Sequence, residues 1–305
     1  MRVIVTGGNG FLGRHLVAEL RNRGHEVFAP SSRECDLTTL AGRRDLLYDN
    51  IHSDVVVHAA AAVGGIGANM AAPGQFFYEN LIMGAELMEL TRLCGIPKFV
   101  IIGTACEYGL DAPQPLKEES LWDGHPAPAT APYGLAKRAL LEMGQAYRKQ
   151  YGFNAIHLLP TNLYGPGDNF NPGTSHVIPA LICKFAEAED RPVALWGSGA
   201  ASRDFLYVED AARGIATALE KYDRPEPLNL GSGVETSIAT VAGLIASILG
   251  SHSEIRWDHL QPEGTPRRVL DISRARELGI HPRVALPGGL RKTINWYMGK
   301  GPGLS

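Results

Sequence analysis

Tyr133 and Lys137 lie four residues apart in the stretch TAPYGLAKRALLEMGQAYRKQY, residues 130–151, just after Pro132. Positions i and i+4 share one face of a helix, so this spacing sets a phenol beside an ammonium near a helix start. A nearby positive charge favours the phenolate, which suits the tyrosine to giving or taking a proton near neutral pH. Many helices carry that spacing by chance, so the pair gains its meaning from its setting. Thr104 and Cys106 follow the apolar run KFVIIG at residues 98–103. Asn169, His176, Lys184 and Arg203 are polar groups suited to a phosphorylated sugar. Arg267 and Arg268, in GTPRRVLD, are expected in a loop and suit a phosphate clamp.

The elements that would position these groups start at the amino terminus. Residues 2–6 read as a short strand, and FLGRHLVAELRNRG reads as a helix. Between and into them run Gly7, Gly10 and Gly13, spaced G-x-x-G-x-x-G. Glycines at a strand-to-helix turn allow close approach of a pyrophosphate to the helix N-terminus. A second strand, residues 26–29, ends in Pro30, Ser31, Ser32 and Arg33. An NAD site usually has an acid there for the ribose 2′-hydroxyl, whereas two hydroxyls and Arg33 suit a 2′-phosphate. NADPH is therefore the expected cofactor, with NAD the alternative. Asp36 and Leu37 either flank the adenine or start a helix through an Asp N-cap.

Residues 54–62, DVVVHAAAA, form the apolar run of a parallel strand buried on both faces. VGGIGAN then reads as a loop, either a backbone approach to a ligand or a connection. Helix 73–94, strand 98–103, the Tyr133/Lys137 helix and strand 155–159 complete an alternation that predicts a doubly wound α/β sheet. Ligands in such sheets sit beyond the carboxyl ends of the strands, which is where Thr104 and Cys106 fall. PTNLYGPGDNFNPGTSHVIP is too rich in Gly, Pro and Asn for regular structure and long enough to be functional. A helix at about 237–249, a strand near Ile255 and a closing helix at about 287–298 suggest a small cap over the crevice. The expected division is a dinucleotide domain of residues 1–165 plus about 205–230, with a cap from about 166–204 and 231–305.

Bulk properties bound the function. A chain of 305 residues, 45% hydrophobic and 20% charged, has the make-up of a soluble globular protein. A net charge of −3 gives no electrostatic case for nucleic acid or an anionic membrane. No apolar run reads as a membrane span, and the amino terminus enters a strand without a leader pattern. Cys35, Cys94, Cys106 and Cys183 are widely spaced with no metal-finger pattern, so no metal is expected and a reducing cytoplasm is.

TGGNGFLG, HAAA, Tyr133-x-x-x-Lys137 and RDFLYVEDAARG together resemble the extended short-chain dehydrogenase/reductases that act on nucleotide sugars. Within them VGGIGAN, GTACEYG, PTNLYGPGDNF and SHVIPAL resemble the GDP-L-fucose synthases, which are GDP-4-keto-6-deoxymannose 3,5-epimerase/4-reductases. The resemblance implies a Rossmann-type doubly wound sheet with a smaller mixed α/β cap, and a homodimer packed through helices at about 74–94 and 131–151. It implies that Tyr133 protonates the C-4 oxygen as NADPH reduces that carbon, that Lys137 assists, and that Thr104 bonds the same oxygen. Cys106 and His176 match the pair that removes and returns protons at C-3 and C-5. It assigns Phe11, Leu12, Ala59, Ala60, Pro160, Asn162, Leu163 and His176 to the cofactor, beside the glycines, Arg33, Asp36 and Leu37. Lys184, Trp196, Arg203, Arg268, Asn162 and Asn169 fall to a nucleotide-diphosphate sugar.

Several positions depart from that pattern. Lys184 stands where the family has an arginine, which loses the bidentate fork. Thr104-Ala105 replaces a serine pair, Gly109 a proline, and Asn9 a basic residue in the glycine loop. Two other enzymes fit parts of the pattern, a nucleotide-sugar 4-epimerase that retains NAD and a simple 4-ketoreductase. A non-catalytic NADP-binding sensor fits the fold but has no use for the Tyr/Lys pair.

Overall fold

A computed structural model of the chain describes residues 1–261 and 264–300. Its main sheet takes β1 (Arg2–Thr6), β2 (Glu26–Phe28), β3 (Val55–His58), β4 (Lys98–Ile102), β5 (Asn154–Pro160) and β9 (Leu228–Leu230) in the order β2-β1-β3-β4-β5-β9. Every pairing in it is parallel, with Val3 opposite Val55 and Val57 opposite Val100. The order reverses between β1 and β3, which makes their carboxyl ends the crevice of the fold.

Successive strand residues point to opposite faces, and the apolar runs use both. Val3, Val5, Val55, Val57, Val100 and Ile102 pack on one side with α1 (Phe11–Asn22) and α7 (Val208–Lys221). Ile4, Val56, Phe99 and Ile101 pack on the other with α2 (Leu40–Tyr48), α4 (Pro73–Leu93) and α5 (Ala131–Tyr151). Helix α1 offers Leu16, Val17 and Leu20 at helical spacing to its side.

A third core lies outside this sheet. It gathers α6 (Val177–Ala186), β7 (Val193–Trp196), α8 (Ile238–Leu249), β11 (Ile255–Asp258) and α10 (Leu286–Lys300). A second sheet hangs on β8 (Ser202–Tyr207), which pairs with β6 (Asn162–Tyr164), β10 (Glu235–Ser237) and β12 (Arg267–Arg268). Two short helices, α3 (Ile66–Ala71) and α9 (Ser273–Glu277), complete the list.

The doubly wound sheet is as the alternation predicts, and three local readings change. VGGIGAN is a loop only up to Gly65, because Ile66–Ala71 closes into helix α3. The Gly/Pro/Asn-rich segment begins with strand β6, whose backbone finds its partner in the distant β8: its register pairs Asn162 with Phe205, a contact no local pattern announces. Arg267 and Arg268 form β12 rather than a loop, for the same reason. The expected cap runs to residue 305, and its last five residues lie outside those described. Leu270, Ile272 and Ala275, within the expected cap, pack into the core shared with α1 and α7.

Candidate active site

The carboxyl ends of β1, β3, β4 and β5 open into one cleft of about 1460 Å³, closed on its far side by α6, β7, β8 and β12. Pockets for a single small ligand run to roughly 1,000 Å³, so this one has room for two sizeable molecules.

One end is built from backbone. Gly7 has φ +68°, and a Cβ there would come within 2.7 Å of the Ala60 nitrogen. A Cβ on Gly13 would lie 1.9 Å from the Gly7 carbonyl oxygen. The Gly10 amide donates to that carbonyl at 2.9 Å. Helix α1 then starts with no capping side chain and no acid in its first turn, leaving its amides facing the cleft for an anion. Thr6 Oγ1 accepts from the Ala60 amide at 3.3 Å and lies 3.0 Å from His58 Nδ1, which fixes the HAAA segment against the glycines. Phe11, Leu12, Asp36, Leu37, Ala59, Ala60, Pro160, Asn162 and Leu163 all line this cleft. Arg33 does not: Ser31 and Ser32 form that wall, while Arg33 is exposed beside them. Glu34, also off the wall, accepts from the Ser31 amide and hydroxyl, each at 2.7 Å, and so fixes Ser31 in place.

The middle of the cleft collects Thr104, Cys106, Tyr133, Lys137 and His176. Thr104 caps the short 3-10 turn 105–107, accepting from the Cys106 amide at 3.2 Å. Its own hydroxyl hydrogen is left for another acceptor. Arg268 donates to the Cys106 sulfur at 3.3 Å and to Thr265 Oγ1 at 3.2 Å. His176 precedes α6 without using its side chain as a cap. Its ring is open to the cleft yet ringed by protein, and that crowding pushes its pKa down.

The electrostatics of the Tyr/Lys pair differ from the sequence expectation. Burial drives the Tyr133 phenol upward, and the nearby Cys106 and Glu107 add to the rise. Lys137, only 1% exposed, is brought down to about 8 by burial, with Glu107 pulling it back up. Desolvation is the largest cause of the rise, so the phenol stands protonated. That is the form a proton donor requires.

The other end is built from side chains. Lys184, Trp196, Arg203 and Arg268 line it, with Trp196 58% exposed. Lys184 Nζ donates to the Ala194 carbonyl at 2.8 Å, which straps α6 to β7. Asn162 gives its amide to the Asp204 carbonyl at 3.0 Å. Asn169 stands apart from the cleft wall. It donates to Thr174 Oγ1 at 2.8 Å and accepts from the Asn171 amide at 3.0 Å, so it shapes its own loop. Beside it Asp168 is buried, with Oδ2 unpartnered and its pKa pushed up to about 7 by burial.

Sequence reading missed two buried residues beneath the centre, Glu107 and His157. His157 Nε2 lies 3.0 Å from both Glu107 carboxylate oxygens, and Glu107 Oε1 accepts from the Thr104 amide at 2.9 Å. A signal for Glu107 existed, because Thr104-x-x-Glu107 is capping-box spacing. His157 sits inside a strand and gave none. Among the described residues no group of three or more His, Cys, Asp or Glu could hold a metal ion.

The model of the NAD dependent epimerase/dehydratase family matches residues 3–231. A GDP-L-fucose synthase of Sinorhizobium fredii is 40% identical over 301 residues, covering 97% of this chain and 95% of its own. A GDP-6-OMe-4-keto-L-xylo-heptose reductase from Campylobacter jejuni superposes with a TM-score of 0.91 at 26% identity, over 98% of both chains. A GDP-D-glycero-L-gluco-heptose synthase of the same organism, solved in the presence of NADPH, gives 0.88 at 27% identity over 98% of both.

Proposed function

The chain belongs to the NAD dependent epimerase/dehydratase family, and from that premise we propose that it is an NADPH-dependent 3,5-epimerase/4-reductase of a GDP-4-keto-6-deoxy sugar. The observation that carries this reading is the meeting of Cys106 and His176 with Tyr133 and Lys137 in one cleft. A 4-epimerase or a plain reductase needs only the second pair. The chain's similarity to a GDP-L-fucose synthase and to a GDP-heptose reductase supports the substrate class.

The glycine turn fits a dinucleotide, since the missing Cβ atoms at Gly7 and Gly13 let the turn fold closely on Ala60 and on itself and leave the α1 amides open for a pyrophosphate. Ser31 and Ser32 would face the adenine ribose, with Asp36 and Leu37 at the adenine. When bound, NADPH supplies the hydride for C-4. The C-4 ketone acidifies C-3 and C-5, and inversion there needs a base on one face and an acid on the other. Cys106 takes the proton and His176 returns one. Tyr133 then gives its phenol proton to the C-4 oxygen while Thr104 donates to the same atom. The phenolate left behind is met by the Lys137 ammonium. Trp196, Lys184 and Arg203 would hold the nucleotide and its diphosphate.

The same reading includes a soluble cytoplasmic homodimer. All four cysteines are free, and no described helix is long and apolar enough to cross a membrane. Helices α4 and α5 expose Phe77, Tyr78, Leu93 and Tyr151, apolar surface that a second copy would cover. Light scattering on the purified protein checks the dimer.

The deciding experiment supplies GDP-4-keto-6-deoxymannose and NADPH in heavy water. Stoichiometric NADPH oxidation with deuterium at C-3 and C-5 is the expected result. Oxidation without deuterium would mean a simple 4-reductase, and no oxidation another sugar or the NAD-retaining epimerase. Cys106→Ala is expected to abolish the deuterium uptake with NADPH binding kept. Tyr133→Phe is expected to lose reduction by about 10²–10⁴-fold while exchange continues.

A further inference from the structure

We propose that Glu107 is the positioning residue of this site: one buried carboxylate supplies the counter-charge for Lys137 and holds the turn that presents Thr104 and Cys106. Three observations meet in it. Glu107 is wholly buried, and its partner His157 is 1% exposed, so the carboxylate acts through a medium of low dielectric where charge is felt strongly. Its Oε1 accepts from the Thr104 amide at 2.9 Å, closing the capping box over Cys106. Its backbone carbonyl is held by Arg138, the residue after Lys137, which ties the 105–107 turn to helix α5.

Packing leaves this arrangement no slack. A Cβ on Gly103 would come 2.4 Å from Glu107 Oε1 and 2.3 Å from His157 Nε2. The carboxylate therefore has one place to be, on the inner side of the residues that face the cleft. Glu107 does not line the cleft and meets Thr104 through its backbone amide, not its hydroxyl, which is why its role is to position and to set charge.

Burial alone disfavours the ammonium of Lys137, and Glu107 opposes that loss. The titratable groups carried by the elements around Lys137 can be named. Tyr133 and Arg138 share its helix, Cys106 and Glu107 come from the 105–107 turn, His58 from β3 and His157 from β5. Helix α4 carries Glu79 at the cleft, Glu86, and Glu89, which is taken up by Arg92 and Tyr147 further along. Glu107 is the anion among these that bears on Lys137. The part Lys137 plays in reduction rests on the function proposed above, but its charge does not.

The test reads that charge directly in the substrate-free protein. Protein carrying 13Cε-labelled lysine is titrated by NMR, with the Lys137 signal identified by its loss in Lys137→Arg. The midpoint is expected near 8 in the parent and at clearly lower pH in Glu107→Gln. Glutamine keeps the size and an acceptor for the Thr104 amide, and His157 can accept in its other tautomer. An unmoved midpoint in folded Glu107→Gln overturns the proposal. If that variant does not fold, Glu107→Asp keeps the charge but withdraws it by one methylene. It is expected to move the midpoint less, in the same direction, and no movement there overturns the proposal equally.

A kinetic arm separates charge from architecture. Glu107→Gln should lower kcat roughly tenfold at pH 8, with a smaller loss at pH 6 and KM little changed. Equal loss at both values would mean a structural role alone. A shifted Lys137 midpoint in a protein that reduces no GDP-4-keto sugar would sink the proposed function and leave this inference standing.

Discussion

The two ends of the cleft are built by different means. The end at Gly7, Gly10 and Gly13 is made of backbone amides and missing Cβ atoms, compressed into seven residues of one strand–turn–helix unit. The end at Lys184, Trp196, Arg203 and Arg268 is made of side chains from α6, β7, β8 and β12, spread over some 85 residues of sequence. Backbone cannot be changed without changing the turn, so the first end tolerates little. Side chains can be exchanged one at a time, so the second can be retuned for a new sugar without disturbing the fold. The departures from the fucose-synthase pattern fall on both sides of this division, Asn9 in the glycine turn and Lys184 at the side-chain end, with Thr104-Ala105 between them.

Adding a side chain at the backbone end should have the largest effect. Gly13→Val sets a Cβ where 1.9 Å separates it from the Gly7 carbonyl, so the turn must open. NADPH binding, followed by fluorescence, is expected to vanish at millimolar cofactor, with about 1–3 kcal/mol of stability lost to overpacking. Binding within tenfold of the parent would mean that the turn is not the backbone-made cradle described here.

A second test concerns a cost stored in the loop between β6 and α6, where Gly167 lies against Arg14 of α1. Burial pushes the Asp168 carboxyl up to about 7, well above the usual carboxylate range, so folding favours its protonated form. The resulting stability is full below about pH 4 and is lost as pH rises through 7. Asp168→Asn should remove that loss, making the variant more stable than the parent at pH 8 by on the order of 3 kcal/mol and little different at pH 4. Denaturant unfolding at the two pH values measures it. Equal effects at both would show that the buried carboxyl is not titrating in that window.

The smallest change belongs to the exposed wall. Trp196→Ala should raise KM for the nucleotide sugar about tenfold, roughly 1.4 kcal/mol, with kcat and melting temperature nearly unchanged. A kcat loss as large as the KM change would place Trp196 nearer the reacting atoms than the cleft geometry does. It would also blur the contrast between the two ends.

Much of the molecule was legible in the chain itself. Alternating apolar runs in β1, β3 and β4 required a sheet buried on both faces, because each strand supplies two separate cores. The glycine spacing marked the cofactor turn, and the four-residue Tyr133–Lys137 step fixed their shared face, since both rest on contacts within a few residues. Tertiary structure alone decided the rest. It paired β6 with β8 across some 40 residues, took Arg33 and Asn169 off the cleft wall, and brought Arg268 to the Cys106 sulfur across 162 positions. It also left the Tyr133 phenol governed by burial, with Cys106 and Glu107 adding to the rise, rather than by the ammonium of Lys137. Periodicity records which face a residue takes, whereas the balance between desolvation and neighbouring charge depends on what the folded chain packs around it. Glu107 and His157, fifty residues apart, acquire their meaning only once burial has put them under the same turn.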